Sequence, residues 1–140
     1  MLRPEITPAV MNQRGIGHLP RLVGVEIISI TDEGVVGRLP VRPDLLAPNG
    51  YLHAASVIAL VDTLAGYGTF ANLPEGAKSF TTIELKSNFL GTATSGVITG
   101  TATPAHLGRT TQIWDAVVTD EAGRKIALFR CTQMILYDKQ

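Results

Sequence analysis

The stretch Leu52–Phe70, with the sequence LHAASVIALVDTLAGYGTF, is the longest apolar run of this 140-residue chain. Apolar side chains fall on every side of a helix drawn through it, a pattern typical of a buried α-helix. Asp62 is the only formal charge in the run. A carboxylate inside an apolar helix is costly, because burial disfavours its charged form. Asp62 is therefore either hydrogen-bonded within the fold or used in chemistry, and the stretch alone leaves both readings open.

The two sides of this helix differ in side-chain size. At about 100° per residue, the residues that share a face with Asp62 are all small: Ala55, Ala59, Ala65, Gly66 and Thr69. The opposite side carries the larger residues Val57, Leu60, Leu64 and Tyr67. We expect the large side to fill a core, and the small side to allow close approach by a strand, a second subunit or a ligand.

Strand-like segments lie on both sides of the helix in the chain. Before it, Leu22–Ile30 and Val35–Val41 are rich in β-branched residues and flank the turn Thr31–Gly34, which predicts a hairpin. After it come four further strand-like runs: Ser79–Leu90, Gly96–Pro104, Thr110–Thr119 and Arg124–Tyr137. Consecutive strands with short connections predict an antiparallel sheet. We therefore expect one α+β domain over residues 1–140, with one antiparallel sheet wrapped around one long central helix.

The remaining segments are less regular. Residues 1–20 are predicted to be an N-terminal appendage with a short helix over residues 5–14, which Gly15, Gly17 and Pro20 end. Arg42–Gly50 contains two prolines and an Asn-Gly pair, so it is predicted to be a loop.

Composition argues against several classes of partner. The formal net charge is zero, so no basic surplus indicates binding to nucleic acid or to an anionic membrane. Asp62 and the small residues make the apolar run a poor transmembrane span, and the N-terminus lacks the apolar region of a signal peptide, so a cytoplasmic location is expected. The single cysteine, Cys131, excludes an internal disulfide and is expected to serve packing. Cys131 and the three histidines are scattered along the chain without the spacing of metal ligands, so no metal is expected.

Two segments together resemble a known family. The first is Asn49–Thr63, NGYLHAASVIALVDT, in which His53 starts the helix and Asp62 follows nine residues later. The second is the Thr-rich strand Thr81–Leu90, TTIELKSNFL. Over residues 20–137 the chain resembles the hotdog-fold thioesterases of the PaaI (phenylacetate-pathway) type. The resemblance implies a hotdog fold, an acyl-CoA substrate bound at a subunit interface, a homodimer or a homotetramer built as a dimer of dimers, and no cofactor beyond the coenzyme A of the substrate.

The resemblance also implies roles for individual residues. Asp62 would be the catalytic carboxylate, acting as general base or nucleophile, and the backbone N–H of Ala54 would polarise the thioester carbonyl. Thr82, from the partner subunit, would orient the attacking water. The other candidates for catalysis or for substrate and CoA binding are Asn49, His53, Gly50, Ala55, Thr81 and Arg109. Arg109 lies in a turn between strands, where its guanidinium would suit a CoA phosphate.

The chain departs from the family pattern at two places. The usual His-Gly-Gly is replaced by His53–Ala55, although an alanine still offers its N–H. The family amide that stands six residues before the histidine is replaced by Ala47, and Asn49 is the nearest amide. His53 itself is expected to hydrogen-bond the loop Pro48–Gly50 and to shape the helix entrance rather than to act on the substrate.

Spacing along the helix bears on how these groups meet. Thioester hydrolysis builds negative charge on the carbonyl oxygen, and the free N–H groups at a helix N-terminus suit such a charge. Asp62 lies about 12 Å along the axis from Ala54, at about 1.5 Å per residue. That distance is long for one small reacting group, so two antiparallel subunits are expected to bring Asp62 of one chain opposite the helix start of the other. Apolar burial would raise the Asp62 pKa and strengthen it as a base.

Two other functions share the predicted fold. A hotdog dehydratase or hydratase would combine a histidine and an acidic residue in a different motif around the helix. A non-catalytic hotdog domain would bind acyl-CoA as a sensor or serve as a scaffold, and the departures at Ala47 and Ala54–Ala55 keep that reading open. The order of residues favours a thioesterase.

Overall fold

The computed structural model describes residues 2–138 as one antiparallel sheet wrapped around a central helix. The helices are α1 (Pro8–Arg14), α2 (Leu19–Val23) and α3 (Ala54–Ala71), with a short 3₁₀ turn at Pro43–Leu45. The strands are β1 (Glu26–Thr31), β2 (Gly34–Pro40), β3 (Ala77–Phe89), β4 (Val97–Leu107), β5 (Thr111–Thr119) and β6 (Lys125–Tyr137). Their order across the sheet is β1-β2-β4-β5-β6-β3, and every neighbouring pair is antiparallel. The predicted α+β arrangement is confirmed, as are the short N-terminal helix, the hairpin, the central helix and the four later strands.

Helix α3 packs its large side chains against the sheet. Leu60 and Leu64 are fully buried, and Val57 is nearly so. Gly37 on β2 and Gly100 on β4 are paired across the sheet and make room for Leu64. A Cβ atom at Gly37 would lie 2.5 Å from Leu64 Cδ2, and one at Gly100 would lie 2.7 Å from Leu64 Cδ1. The close approach of the helix therefore explains why these strand positions are glycine.

The small side of α3 meets a strand in its C-terminal half and is open in its N-terminal half. The ring of Phe80 on β3 lies against Gly66, where a Cβ atom would be 3.3 Å from Phe80 Cζ. Towards the N-terminus, Ala55 is exposed, and Ala59 and Asp62 are partly exposed. The open half leaves space for a ligand or a second subunit beside the carboxylate.

Helix α3 is the one helix within residues 2–138 that is long and apolar enough to cross a membrane, with a mean hydropathy of 1.4 over 18 residues. The core helix of a globular domain meets the same two conditions. Because α3 packs against the sheet through Leu60 and Leu64, its place in the core accounts for this hydropathy.

The N-terminal segment holds one helix more than expected. The predicted strand Leu22–Ile30 is wrong at its start, because α2 occupies Leu19–Val23 and β1 begins only at Glu26. Pro20 lies in the first turn of α2, where its fixed φ suits a helix and its missing N–H is not needed. Gly24 then ends the helix at φ +97°, a left-handed conformation that glycine adopts freely.

Strand β3 forms one edge of the sheet and pairs only with β6. A register shift at Ile83 interrupts this pairing. Thr82 pairs with buried Gln133 and faces α3, whereas Thr81 pairs with exposed Met134 and faces away from the helix. The strand is largely exposed, with Ile83 at 53%. An open edge with exposed apolar residues is typical of a surface that another chain covers.

Candidate active site

Asp62 lies in the third turn of α3. Its Oδ1 atom is buried and has no hydrogen-bond partner among residues 2–138. The neighbouring hydroxyl, Thr63 Oγ1, donates instead to the carbonyl oxygen of Ala59 at 2.6 Å. The expected burial of this carboxylate is confirmed for Oδ1, although the residue as a whole is partly exposed. No group of the described chain hydrogen-bonds Oδ1, so the alternative of a carboxylate satisfied within the fold is not met at this atom.

Burial raises the pKa of Asp62 above its ordinary value, because the charged form loses hydration. A carboxylate with a raised pKa is a stronger base once it is ionised. Burial, and to a lesser extent the charge of Asp62, raise the pKa of the Cys131 thiol to about 12. Cys131 therefore stays neutral near pH 7, which agrees with the packing role expected for it.

The start of α3 is capped by His53. Its Nδ1 atom accepts a hydrogen bond from the backbone N–H of Ala55 at 2.9 Å, and the backbone N–H of His53 donates to the Leu45 carbonyl at 3.0 Å. The expected bond from His53 to the loop Pro48–Gly50 is therefore wrong. The imidazole folds back onto the helix end instead, where N–H groups lack intrahelical acceptors. The expectation that His53 shapes the helix entrance is confirmed.

Ala54 is the first residue of α3 and is exposed. Its N–H has no acceptor within the described part of the chain, whereas the N–H of Ala55 is occupied by His53. The helix dipole adds partial positive charge at this end. A free donor at a positive helix end has the chemistry needed to polarise a carbonyl, the role that the resemblance implies for Ala54.

Residues 47–51 form a tight turn before α3. The Ala47 N–H donates to the Tyr51 carbonyl at 2.7 Å, and Asn49 Oδ1 accepts from the Tyr51 N–H at 3.2 Å. Gly50 adopts φ +88° here, a conformation that favours glycine. Because the Asn49 carbonyl oxygen is used within the turn, its NH₂ group is the part left to contact a ligand. Replacement of the family amide by Asn49 stays a prediction.

A groove with a volume of about 500 Å³ opens beside the helix start. Its lining residues are Tyr51, Leu52, Ala54, Val57, Phe89, Leu90, Gly91 and Thr92. The mostly apolar walls suit an apolar acyl group, and Ala54 places a free N–H beside it. Leu52 and Thr92 lie on opposite segments of the groove lining, and Thr92 Oγ1 accepts a hydrogen bond from the Leu52 backbone N–H at 3.1 Å. Sequence analysis missed this groove because its walls come from segments far apart in the chain.

Thr82 is hydrogen-bonded to a buried glutamine that sequence analysis also missed. Thr82 Oγ1 donates to Gln133 Oε1 at 2.7 Å, and Gln133 Nε2 donates to Cys131 Sγ at 3.4 Å. Gln133 is fully buried on the face of β6 that packs against α3. The buried positions of β6 alternate as Ala127, Phe129, Cys131, Gln133 and Ile135. An amide in this apolar series is a signal that could have identified the residue.

Thr82 and Asp62 of one chain lie at a similar level along α3, which differs from the expectation that Thr82 would come from the partner subunit. Strand β3 runs back along α3 after a short turn, and Phe80 contacts Gly66. From that contact, two strand residues of about 3.3 Å each lead to Thr82, and four helix residues of about 1.5 Å each lead back to Asp62. Both steps cover roughly 6 Å, so the two residues lie at a similar level on the side where β3 meets α3. Thr81 faces the other side of the sheet and is not brought to Asp62.

Arg109 lies at the opposite end of α3 from Ala54. It lines a cavity of about 570 Å³ together with Asn72, the residue that ends the helix. Its guanidinium carbon is 5.9 Å from the centroid of the Tyr137 ring. The predicted turn position is confirmed, and contact with a CoA phosphate stays a prediction. Within residues 2–138, no group of three or more His, Cys, Asp or Glu residues could hold a metal ion.

Comparison with known proteins relates this arrangement to a family. Residues 49–127 match the sequence model of the thioesterase superfamily. The chain is 31% identical to the 1,4-dihydroxy-2-naphthoyl-CoA hydrolase of Listeria monocytogenes, over 81% of this chain and 92% of that protein. A Haemophilus influenzae thioesterase superimposes with a TM-score of 0.88 at 26% identity, covering 94% of this chain and 91% of the other. The Escherichia coli PaaI protein gives a TM-score of 0.80 over 91% of this chain and 90% of the other, and its 21% identity shows the fold alone.

A long helix inside one antiparallel sheet is the hotdog arrangement, and together with these relatives it makes the chain a hotdog-fold thioester hydrolase. The chain belongs to the thioesterase superfamily. The expected hotdog fold, the resemblance to PaaI-type thioesterases and the enzyme class are therefore confirmed.

Proposed function

We propose that the chain hydrolyses an acyl-CoA thioester to the free acid and coenzyme A. The observation that carries this proposal is Asp62 Oδ1, which is buried without a hydrogen-bond partner in the central helix of a thioesterase fold. An unsatisfied buried polar atom costs about 1–3 kcal/mol, so a fold that retains one is expected to use it. The Listeria relative is named as a CoA thioester hydrolase, which supports the same substrate class.

Asp62 acts in this reaction as general base or as nucleophile. As a base it removes a proton from water while the water oxygen bonds to the thioester carbon, and the proton passes to the CoA sulfur when the C–S bond breaks. As a nucleophile its carboxylate oxygen bonds to the carbon and displaces the CoA thiolate, and water then hydrolyses the anhydride. Either way, the Ala54 N–H stabilises charge on the carbonyl oxygen, a contact typically worth about 3 kcal/mol.

The proposed site combines two subunits. Helix α3 is continuous, so Asp62 lies about 12 Å along the axis from Ala54 of the same chain. A two-fold axis near Ile58, midway between them, would set Asp62 and Thr82 of one chain opposite Ala54 of the other. The small residues of the open half of α3 permit this approach, and the contact would also cover the free edge of β3. We therefore propose a homodimer, with pairing of dimers as the route to a homotetramer.

The same two-fold axis gives Arg109 a role. Antiparallel packing brings the C-terminal end of one α3 close to the Asn49–Gly50 turn of the other subunit. The groove beside Ala54, with aromatic walls at Tyr51 and Phe89, would take an aryl or other apolar acyl group. The CoA chain would then leave past Gly50 and Ala55 towards Arg109, whose planar guanidinium suits a phosphate.

A panel of aryl- and alkyl-CoA thioesters tests this function through release of the free CoA thiol. We expect at least one aryl or other apolar thioester to be hydrolysed with kcat/KM of about 10⁴ M⁻¹s⁻¹ or more. Binding of every thioester without CoA release would contradict the proposal and favour the non-catalytic acyl-CoA-binding alternative. Hydration of an enoyl-CoA without thiol release would contradict it and favour the hydratase alternative. Nucleic acid and membranes have no part in the proposal, and the cytoplasm is its expected location.

A further inference from the structure

The proposed hydrolysis leaves one buried polar group near Asp62 without a role, the side-chain amide of Gln133. This residue is fully buried in β6, on the same face as Cys131 and Ile135. A buried amide is tolerated where its donors and acceptors find partners. Gln133 Oε1 accepts from Thr82 Oγ1 at 2.7 Å, and Nε2 donates to Cys131 Sγ at 3.4 Å. Both ends of the amide are therefore engaged.

These two bonds give the Thr82 hydroxyl a direction in the structure. In the structure the NH₂ end of Gln133 faces Cys131 Sγ at 3.4 Å, and its oxygen faces Thr82 Oγ1 at 2.7 Å. A carbonyl oxygen can only accept, so the single hydroxyl hydrogen of Thr82 is directed at Gln133. The lone pairs of Thr82 Oγ1 are then free, and towards a ligand or water the hydroxyl can act only as an acceptor.

We propose that Gln133 is a positioning residue that makes Thr82 an acceptor and thereby selects water as the attacking group. The inference rests on the proposed hydrolysis. A water molecule between the two side chains donates one hydrogen to the Asp62 carboxylate and the other to Thr82 Oγ1. Its lone pair then forms the bond to the thioester carbon, Asp62 takes the first hydrogen as a proton, and cleavage of the C–S bond returns that proton to the CoA sulfur.

The opposite hydroxyl direction would work against this reaction. A Thr82 hydroxyl that was free to turn could donate to Asp62, which would stabilise the carboxylate and lower its pKa. A less basic carboxylate removes a proton from water less readily. Gln133 prevents this by holding the hydroxyl hydrogen, and Asp62 Oδ1 has no partner within residues 2–138. The arrangement favours the general-base route over attack by the carboxylate itself.

The test compares Gln133→Met in the wild-type chain with the same change in a Thr82→Val background. Methionine has a similar size but cannot accept the hydroxyl hydrogen. On a thioester that the wild type hydrolyses, we expect kcat to fall about tenfold and KM to change less than about twofold. The acid limb of the kcat profile should move to lower pH, because Thr82 can then donate to Asp62. In the Thr82→Val background, with no hydroxyl to orient, Gln133→Met should lower kcat less than about twofold.

Gln112 provides a matched control. It pairs with Gln133 across β5 and β6 and is 1% exposed. Its amide donates to the Asn72 carbonyl at 2.9 Å and accepts from Trp114 Nε1 at 3.2 Å, so it does not serve Thr82. Gln112→Met removes an equally buried amide from the same region of the sheet. We expect it to lower Tm as Gln133→Met does, but to leave kcat and its pH profile within about twofold of wild type.

An unchanged kcat in Gln133→Met, or an equal fall in both backgrounds, would overturn the positioning role alone. If Gln133→Met does not fold, Gln133→Glu decides the question. The ionised glutamate carboxylate of this variant still accepts the Thr82 hydroxyl hydrogen, whereas its protonated form can donate to Thr82 instead. The acid limb of the kcat profile should therefore lie at higher pH than in wild type. An unchanged profile there would overturn the role as well. A wild type that hydrolyses no CoA thioester would overturn the proposed function and, with it, the role of Gln133.

Discussion

The Nδ1 atom of His53 accepts the backbone N–H of Ala55 at 2.9 Å, at the first turn of α3. This contact leaves the N–H of Ala54 as the first free donor of the helix within the described residues. It also requires Nδ1 to be unprotonated. Of the Ala54 and Ala55 backbone N–H groups, only that of Ala54 is free. One substitution at Ala54 can therefore remove the proposed contact with the thioester carbonyl oxygen.

Ala54→Pro removes that N–H while keeping the helix. Proline is well tolerated at the first helical position, and His53 has φ −65° and ψ 136°, which suit the residue before a proline. We expect kcat for CoA thioester hydrolysis to fall about 10²–10³-fold, the typical effect of losing one donor to the carbonyl oxygen. Ala54→Gly keeps the N–H and should lose far less. Circular dichroism and Tm would establish that α3 is intact in both variants.

A folded Ala54→Pro protein with the same kcat as Ala54→Gly would show that the Ala54 N–H does not contact the reacting carbonyl. The carbonyl would then have to be polarised by another group near the groove.

The stability of Asp62→Asn should depend on pH in a defined direction. Burial raises the folded-state pKa of Asp62 above its unfolded value, so the folded state disfavours the ionised form. The carboxyl group therefore contributes its full stability below the unfolded pKa of about 3.9 and loses it as pH rises through the folded pKa. We expect Asp62→Asn to be more stable than wild type at pH 8, where burial opposes ionisation of the wild-type carboxyl group. Denaturant unfolding at pH 4 and pH 8 should show this difference growing with pH, and a difference that is equal at both values would contradict the uncompensated burial of Asp62.

The open edge of β3 should hold the dimer together. Ile83 is 53% exposed at the register shift of this strand. A lysine on an edge strand opposes pairing with another chain, so Ile83→Lys should weaken self-association at least about tenfold. Activity should fall in parallel, since the proposed site takes Asp62 and Ala54 from different chains. Sedimentation velocity over a range of protein concentrations measures the first effect.

Ile28→Lys is the control for that experiment. Ile28 is a 46% exposed isoleucine on β1, the strand at the other edge of the sheet. We expect this variant to sediment as the wild type does. Equal dissociation by both variants, or a wild type that is monomeric and fully active, would contradict a site shared between two subunits.

Most of the fold could be predicted because its signals are local. Helix α3 follows from one apolar run, and the strands after it follow from β-branched runs divided by glycine-bearing turns. Helix α2 was not predictable in this way, because Leu22 and Val23 suit a strand as well as a short helix. The left-handed Gly24 and the helix-compatible Pro20 were the features that decided the outcome.

The candidate site could be predicted only where its signal lies within one segment. Asp62 stands out because a charge interrupts an apolar run. The bond between Thr82 and Gln133 joins residues 51 positions apart, and no local pattern pairs them. The cap formed by His53 is local, but a loop carbonyl and a helix N–H compete for the same imidazole, and only the folded backbone decides between them.

The kcat of Asp62→Asn, measured on the CoA thioester that the wild type hydrolyses fastest, tests the role of this carboxylate most directly. Asparagine preserves the size of the side chain but cannot take a proton from water or form the anhydride. We expect kcat to fall at least about 100-fold, with KM changed less than about threefold. A folded, dimeric Asp62→Asn protein that retains the wild-type kcat would contradict the catalytic role of Asp62.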